Sequence, residues 1–155
     1  MTLLGSLGEI DVLLRLSLAV VLGGLVGWNR ESEHKPAGVR THILVSLGSA
    51  LVMVISIQLF LDYPRTGADP GRIAANIVSG IGFLGAGAII RTGGGLVRGL
   101  TTAASIWMTA AIGMACGGGM YVAATLGTAL ALVVLVFLKW VLPISGERTK
   151  TEKKD

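Results

Sequence analysis

The chain has 155 residues, of which 52% are hydrophobic and only 14% are charged, whereas an ordinary soluble domain has about 25% charged residues. Its mean hydropathy is +0.75, and its charges fall in short clusters between long uncharged runs. This pattern excludes an ordinary soluble enzyme, and the length leaves no room for a catalytic domain beside a set of membrane spans. An integral membrane protein is therefore predicted.

Five apolar segments follow one another along the chain, at residues 10–28, 41–61, 73–90, 99–115 and 119–138. Helical segments of about 17 to 21 residues match the roughly 30 Å hydrocarbon core of a bilayer, and lipid cannot satisfy a non-helical backbone. An all-α bundle of about five transmembrane helices is predicted. The fourth segment carries four hydroxyl residues, so we expect it to be the weakest span and the one most enclosed by protein.

The distribution of Lys and Arg predicts the orientation of this bundle. Ten of the 13 basic residues fall on one side of a five-span arrangement, and cytoplasmic loops are enriched in such residues. The N-terminus is therefore expected outside and the C-terminus in the cytoplasm. Residues 1–144 are predicted to form the transmembrane domain, and the charged tail at 145–155 lacks apolar residues and is expected to be disordered.

Several kinds of chemistry are not expected from this sequence. The single cysteine, Cys116, excludes an internal disulfide, and His34 and His42 do not form a metal-ligand group with it. No metal site and no cofactor is therefore expected. Membrane orientation already accounts for the net charge of +4, so nucleic-acid binding is not expected. An enzyme is not expected either, because no nucleophile has a base beside it.

The glycines are interpreted as positions of close helix packing. Residues 80–85 match the dinucleotide fingerprint G-x-G-x-x-G, but they lie in an apolar segment and no acidic residue follows at the required distance. The packing candidates are Gly23, Gly27, Gly80, Gly82, Gly85 and Gly87, and Gly113 and Gly117 repeat the G-x-x-x-G spacing. The third helix is predicted to be the packing centre, so Gly82→Leu should impair folding or assembly more than Gly127→Leu.

Polar residues inside the apolar segments need partners, because they are costly in hydrocarbon. A hydrogen-bonded seam between the second, third and fourth helices would accommodate His42, Ser46 and Ser49, then Asn76 and Ser79, then Thr101, Ser105 and Thr109. Two interpretations stay open for this seam: packing between helices, or a small polar cavity that holds a ligand or an ion.

Charged residues gather at the predicted cytoplasmic ends of the segments. Arg91 and Arg98 flank a glycine-rich loop that opens a helix. This favours a corner in which Arg98 and Thr101 join Arg30 and Glu31 and bind an anion or a partner. Plain anchoring at the membrane interface is the alternative. Two further local features are predicted from spacing: an N-cap at Asp69, followed by proline, and an ion pair between Asp11 and Arg15.

Residues 27–31, 37–42, 69–87 and 98–107 resemble the membrane domain of the MgtC/SapB family. The resemblance runs from about residue 10 to 140. It implies a multi-pass protein of the bacterial inner membrane that is linked to magnesium limitation, acid stress and survival in macrophages. The site residues that it implies are Arg30, Glu31, Arg40, Thr41, His42, Asp69, Arg72, Asn76, Ser79, Arg91, Arg98, Thr101, Thr102 and Trp107.

The resemblance also bears on partners. For some family members it implies restraint of the F-type ATP synthase within the membrane. Many members continue into a cytoplasmic ferredoxin-like regulatory domain, where this chain has only a short tail. We expect a protein without enzymatic activity that binds membrane lipids and other inner-membrane proteins, and that can form a homo-oligomer. The alternative is a small ion transporter or channel, although the lack of an acid in the middle of any segment disfavours a Mg²⁺ permease.

Overall fold

The computed structural model describes residues 7–63, 69–91 and 97–141. Within these ranges the chain forms five helices and one antiparallel pair of short strands. The elements are α1 (Glu9–Ser32), α2 (Val39–Asp62), α3 (Pro70–Gly87), β1 (Ile90–Arg91), β2 (Val97–Arg98), α4 (Leu100–Gly117) and α5 (Tyr121–Val141). The predicted all-α bundle is confirmed, and the predicted tail at 145–155 lies outside the described residues.

Three of the described helices, α1, α2 and α4, are long and apolar enough to cross a membrane, and α5 contributes the shorter apolar stretch Tyr121–Phe137. The apolar window of α4 is 56% buried, against 28% in both α1 and α2. The fourth segment is thus the most enclosed by protein, as predicted. It also meets the length and composition of a span, whereas α3, which carries Arg72, Asn76 and several glycines, is not among the three.

Two helix starts have specific local causes. Asp69 accepts a hydrogen bond from the Gly71 N–H at 2.8 Å, with Pro70 at the first helical position, so the predicted N-cap of α3 is confirmed. Before α4, Gly99 has φ 92°, and a Cβ there would overlap the Ala88 carbonyl oxygen. Only glycine fits this left-handed position, which turns the chain from the strand pair into α4.

The centre of the bundle is formed by α1, α2 and α4, and α2 packs against both of the others. Glycines allow this close approach: a Cβ at Gly23 would lie 2.7 Å from Ser46 Cβ, and one at Gly27 would lie 2.7 Å from Val39 Cα. On the other side of α2, Gly113 and Gly117 lie against its main chain. Both predicted G-x-x-x-G pairs are therefore packing positions.

The prediction that α3 is the packing centre is wrong for the described chain. A Cβ at Gly80, Gly82 or Gly87 would meet nothing within 4 Å, and one at Gly85 would make only an ordinary contact with Ala103 at 3.7 Å. The buried face of α3 is instead centred on Ile81, which packs with Ala37, Val45, Ile106 and Ala110. Gly80, Gly82 and Gly87 are exposed, so Gly82→Leu is not expected to disturb the fold of this chain.

Candidate functional site

A group of polar residues, most of them buried, lies where the end of α1 meets the starts of α2 and α4. We call this group the polar corner, and it consists of Arg30, Glu31, Glu33, His42, Thr102 and Ser105. Among these residues, Arg30, His42, Thr102 and Ser105 are buried. Buried polar groups need hydrogen-bond partners, and the contacts of each member explain why the three helices meet here.

Arg30 is the buried charge of the polar corner, with a side chain only 3% exposed. Its Nη1 donates to Glu33 Oε2 at 3.3 Å, one helical turn further along the chain. Its Nε has no hydrogen-bond partner among the described residues. Burying a guanidinium that has an unbonded N–H group is unfavourable. The Nε–H of Arg30 therefore remains able to donate a hydrogen bond inside the protein.

Glu31 links α1 to the first residue of α2. Its Oε2 accepts the main-chain N–H of Val39 at 2.7 Å, and a Cβ at Gly38 would lie 2.6 Å from the same oxygen. The first N–H groups of a helix lack partners within the helix and carry partial positive charge. The carboxylate of Glu31 therefore caps α2 from outside, and glycine at position 38 leaves room for it.

His42 connects α2 to α4 and is fully buried. Its Nδ1 lies 2.8 Å from the Gly38 carbonyl oxygen, and its Nε2 lies 3.2 Å from Ser105 Oγ. Ser105 Oγ in turn donates to the Thr102 carbonyl oxygen at 2.8 Å. These short contacts run from the start of α2 to the first turn of α4.

The predicted seam is thus formed by two helices instead of three. Ser105 and Thr109 are buried beside α2, whereas Thr101 is exposed. On α3, Asn76 and Ser79 are also exposed, and the Ser79 hydroxyl donates to the Ala75 carbonyl oxygen of its own helix. The third helix contributes nothing to the seam because it packs through its Ile81 face.

The structure brings together only part of the predicted site. Arg30, Glu31, His42 and Thr102 lie in the polar corner. Of these four, Glu31 is exposed and the others are buried. The remaining predicted residues whose side chains are described are all exposed, and these are Arg40, Thr41, Asp69, Arg72, Asn76, Ser79, Arg98, Thr101 and Trp107. The side chain of Arg91 lies outside the described residues. Among the described residues, no hydrogen bond or ion pair joins Arg98 or Thr101 to Arg30 or Glu31, whose described partners are Glu33 and Val39. The predicted corner therefore stays a prediction.

A second polar cluster lies at the opposite end of α1. The predicted ion pair is confirmed, with Arg15 Nη2 2.8 Å from Asp11 Oδ2. Arg15 Nη1 also donates to the Gly117 carbonyl oxygen of α4 at 2.7 Å, and the Tyr121 hydroxyl donates to Asp11 at 3.0 Å. The sequence spacing predicted the pair within α1, but no local signal indicated that the arginine would cap α4.

These features define an all-helical membrane protein with three tightly packed central helices and a polar corner at one end. The model of the MgtC family matches residues 16–143, and the chain belongs to this family. The resemblance found in the sequence is thereby confirmed.

Relatives from three bacteria illustrate the match. YhiD of Escherichia coli (strain K12), named as a candidate magnesium transporter, is 47% identical over 128 residues, which cover 81% of this chain and 59% of YhiD. SapB of Bacillus subtilis (strain 168) is 38% identical over 146 residues, covering 92% of this chain and 63% of SapB. MgtC of Brucella abortus (strain 2308) is 44% identical over 124 residues, covering 80% of this chain and 50% of MgtC. The chain spans between half and two thirds of the length of these relatives. No solved structure matches it.

Proposed function

We propose that this MgtC-family protein is a multi-pass protein of the bacterial inner membrane that acts by binding other membrane proteins through the outer face of α3. It has no catalytic activity of its own in this proposal. Its role is to adjust ion or proton-motive homeostasis under magnesium limitation or acid stress, through restraint of the F-type ATP synthase. Membership of a family whose relatives include proteins named MgtC and magnesium transporter supports a role in magnesium physiology.

The observation that carries the proposal is the composition of the outer face of α3. Asn76, Ser79, Gly80 and Gly82 are exposed on it, and Phe83 is 83% exposed. A Cβ at Gly80 or Gly82 would meet nothing within 4 Å. The face therefore combines a polar amide, backbone that a neighbour can approach closely, and one large aromatic side chain.

Lipid is a poor neighbour for such a face. α3 packs alongside α2 and α4, which are both long and apolar enough to span a membrane. In hydrocarbon the amide of Asn76 would lack partners, whereas a helix of another protein can supply them. Small residues allow two helix backbones to approach, and packing and hydrogen bonds are the forces that join helices in lipid. We infer that the face receives a helix of a partner protein.

A matched pair of substitutions tests the role of this face. Gly82 on α3 and Gly48 on α2 are both exposed, and a Cβ at either position would meet nothing within 4 Å, so leucine at either position should leave the fold intact. Gly82→Leu is expected to abolish growth complementation under magnesium limitation, and Gly48→Leu to retain it at equal membrane abundance. Full growth of the Gly82→Leu strain would contradict the proposal.

Site-directed photocrosslinking identifies the partner. A photoreactive residue in place of Phe83 is expected to capture a membrane subunit of the ATP synthase in native membranes. The same residue in place of Leu130, an exposed position of α5, is the control and should capture lipid. Capture of a different protein at position 83 would support the binding surface but refute the ATP synthase as its target.

A small ion transporter or channel is the alternative function. It is favoured by the buried polar groups between α2 and α4, including Ser46, whose Oγ has no partner among the described residues, and by the name of the YhiD relative. This alternative predicts that the purified protein alone carries an ion flux in liposomes. The binding proposal predicts no flux above that of empty liposomes.

A further inference from the structure

We propose that His42 is a proton-binding site, and that its proton completes a hydrogen-bonded link between the starts of α2 and α4. The inference depends on the donors and acceptors around one imidazole in the polar corner. It is independent of the proposed function at α3, because none of the groups involved lies on that helix.

The Nδ1 atom of His42 carries a hydrogen in every protonation state. Its neighbour at 2.8 Å is the Gly38 carbonyl oxygen, which can only accept a hydrogen bond. An unprotonated Nδ1 would place two acceptors against each other in a fully buried position, and this is unfavourable. The neutral form of His42 is therefore the Nδ1–H tautomer, with Nε2 as an acceptor.

The Nε2 atom shares a single hydroxyl proton with a main-chain carbonyl. Ser105 Oγ lies 3.2 Å from Nε2 and 2.8 Å from the Thr102 carbonyl oxygen, and one hydroxyl has one hydrogen to donate. In the neutral state the Ser105 hydroxyl turns to His42 and leaves Thr102. When Nε2 takes up a proton, it donates to Ser105, and Ser105 is then free to donate to Thr102. Only the imidazolium state satisfies both short contacts at once.

The charges around His42 set the conditions for this proton. On α1, the positive charge of Arg30 repels a proton on the imidazole. Arg30 is itself paired with Glu33, and Glu31 caps the start of α2. On α2 the nearest charge in sequence is the exposed Arg40, and α4 contains no acidic or basic residue. Burial removes the imidazolium from water and opposes this proton most strongly, and the repulsion of Arg30 and the helix starts adds to that opposition. The Gly38 carbonyl oxygen and the Ser105 hydroxyl oxygen favour the proton by accepting hydrogen bonds from the ring. Proton uptake therefore changes the contacts where three helices meet.

The consequence is a change in contacts, because His42 also touches α1. A Cβ at Gly27 would lie 3.0 Å from His42 Cβ, so the base of the His42 side chain lies at the contact between α1 and α2. Protonation therefore strengthens the link from α2 to α4 and adds positive charge beside Arg30 on α1. The strength of the α2–α4 contact relative to the α1–α2 contact therefore changes with pH.

Nitrogen NMR of the full chain in detergent micelles, with ¹⁵N-labelled histidine, tests the proposal. The chain has two histidines, and the exposed His34 is an internal standard. At pH 8 we expect His42 to show the Nδ1–H tautomer, and between pH 8 and 4.5 we expect its Nε2 to gain a proton. A neutral His42 protonated on Nε2, or one that stays neutral down to pH 4.5, would overturn the proposal without any mutation.

Two substitutions in α4 separate the specific contact from a general loss of a hydroxyl. Ser105→Ala removes the partner of Nε2, and because hydrogen bonds to a charged group are about twice as strong as neutral ones, we expect proton binding to weaken about tenfold. Thr109→Val is the control, since among the described residues the buried Thr109 hydroxyl donates to the Ser105 carbonyl oxygen of its own helix and to no other group. Equal proton binding in the two variants would refute the role of Ser105.

Discussion

Gly113 of α4 lies against the main chain of Ser46 in α2, so closely that a Cβ on Gly113 would overlap the Ser46 carbonyl oxygen. Gly23 of α1 approaches the same residue from the other side, where a Cβ would lie 2.7 Å from Ser46 Cβ. Ser46 is therefore held between two glycines of two different helices. Any side chain at either glycine must push a helix away from α2.

This relationship predicts that Gly113→Val strongly destabilises the protein. Overpacking costs about 1–3 kcal/mol in well-packed interiors, and here the obstacle is main chain, which cannot rotate away. Gly48→Val is the control, because a Cβ at Gly48 meets nothing within 4 Å. The stability of both variants is measured by unfolding in SDS, monitored by the loss of the helical circular dichroism signal. Equal unfolding midpoints would show that α2 and α4 are not in close contact in the membrane protein.

Arg15 is expected to contribute to stability through its contact with α4. Arg15→Met removes the donor to the Gly117 carbonyl and the partner of Asp11. Leaving the carbonyl of the buried Gly117 without this donor costs about 1–3 kcal/mol, so the unfolding midpoint should fall. Arg40→Met, at an exposed position, is the matched change and should have little effect. Equal unfolding midpoints for the two variants would show that the contact between Arg15 and α4 does not contribute to stability.

The cap formed by Glu31 is also testable. Glu31→Ala leaves the Val39 N–H without its acceptor, and loss of a helix cap costs about 1 kcal/mol. Glu31→Gln keeps an acceptor oxygen and should retain part of this stability. Glu9→Ala, at the exposed start of α1, controls for the loss of an acidic residue. If Glu31→Ala lowers the unfolding midpoint no more than Glu9→Ala does, the capping role is contradicted.

The orientation of the bundle stays a prediction from the distribution of basic residues. Reporter fusions at position 95 and after position 155 should both indicate the cytoplasm, because ten of the 13 Lys and Arg residues fall on that side. A fusion before residue 9 should indicate the outside. An external reporter at 95 together with an internal C-terminus would mean that the number of spans between them is different.

Much of the fold could be predicted from sequence because its signals are local. Apolar length located the five helices, and Asp69 with Pro70 marked the start of α3. The inward face of α3 was not predictable in this way. In a membrane helix both the lipid face and the packed face are apolar, so the glycine pattern around Gly82 could not show that Ile81 is the buried position.

The candidate site was predictable in part for a similar reason. Arg30, Glu31 and His42 stood out as polar residues near the ends of apolar segments. Their partners depend on contacts between distant parts of the chain: the bond from His42 to Ser105 joins residues 63 positions apart. The predicted seam contained both His42 and Ser105, but spacing within one segment could not show which residues pair between helices. It also placed Thr101 in the seam, although Thr101 is exposed and Thr102 is buried.

The capping of α2 by Glu31 has a consequence for biosynthesis. The acceptor for the Val39 N–H comes from the preceding helix. The chain through Asp62 therefore contains both partners of the hydrogen bond that joins α1 to the start of α2. Two of the candidate spans can therefore pair as a hairpin while the ribosome is still producing α3. The helices that emerge afterwards would dock onto an existing pair, with Gly113 and Gly117 of α4 fitting against a surface of α2 that is already in place.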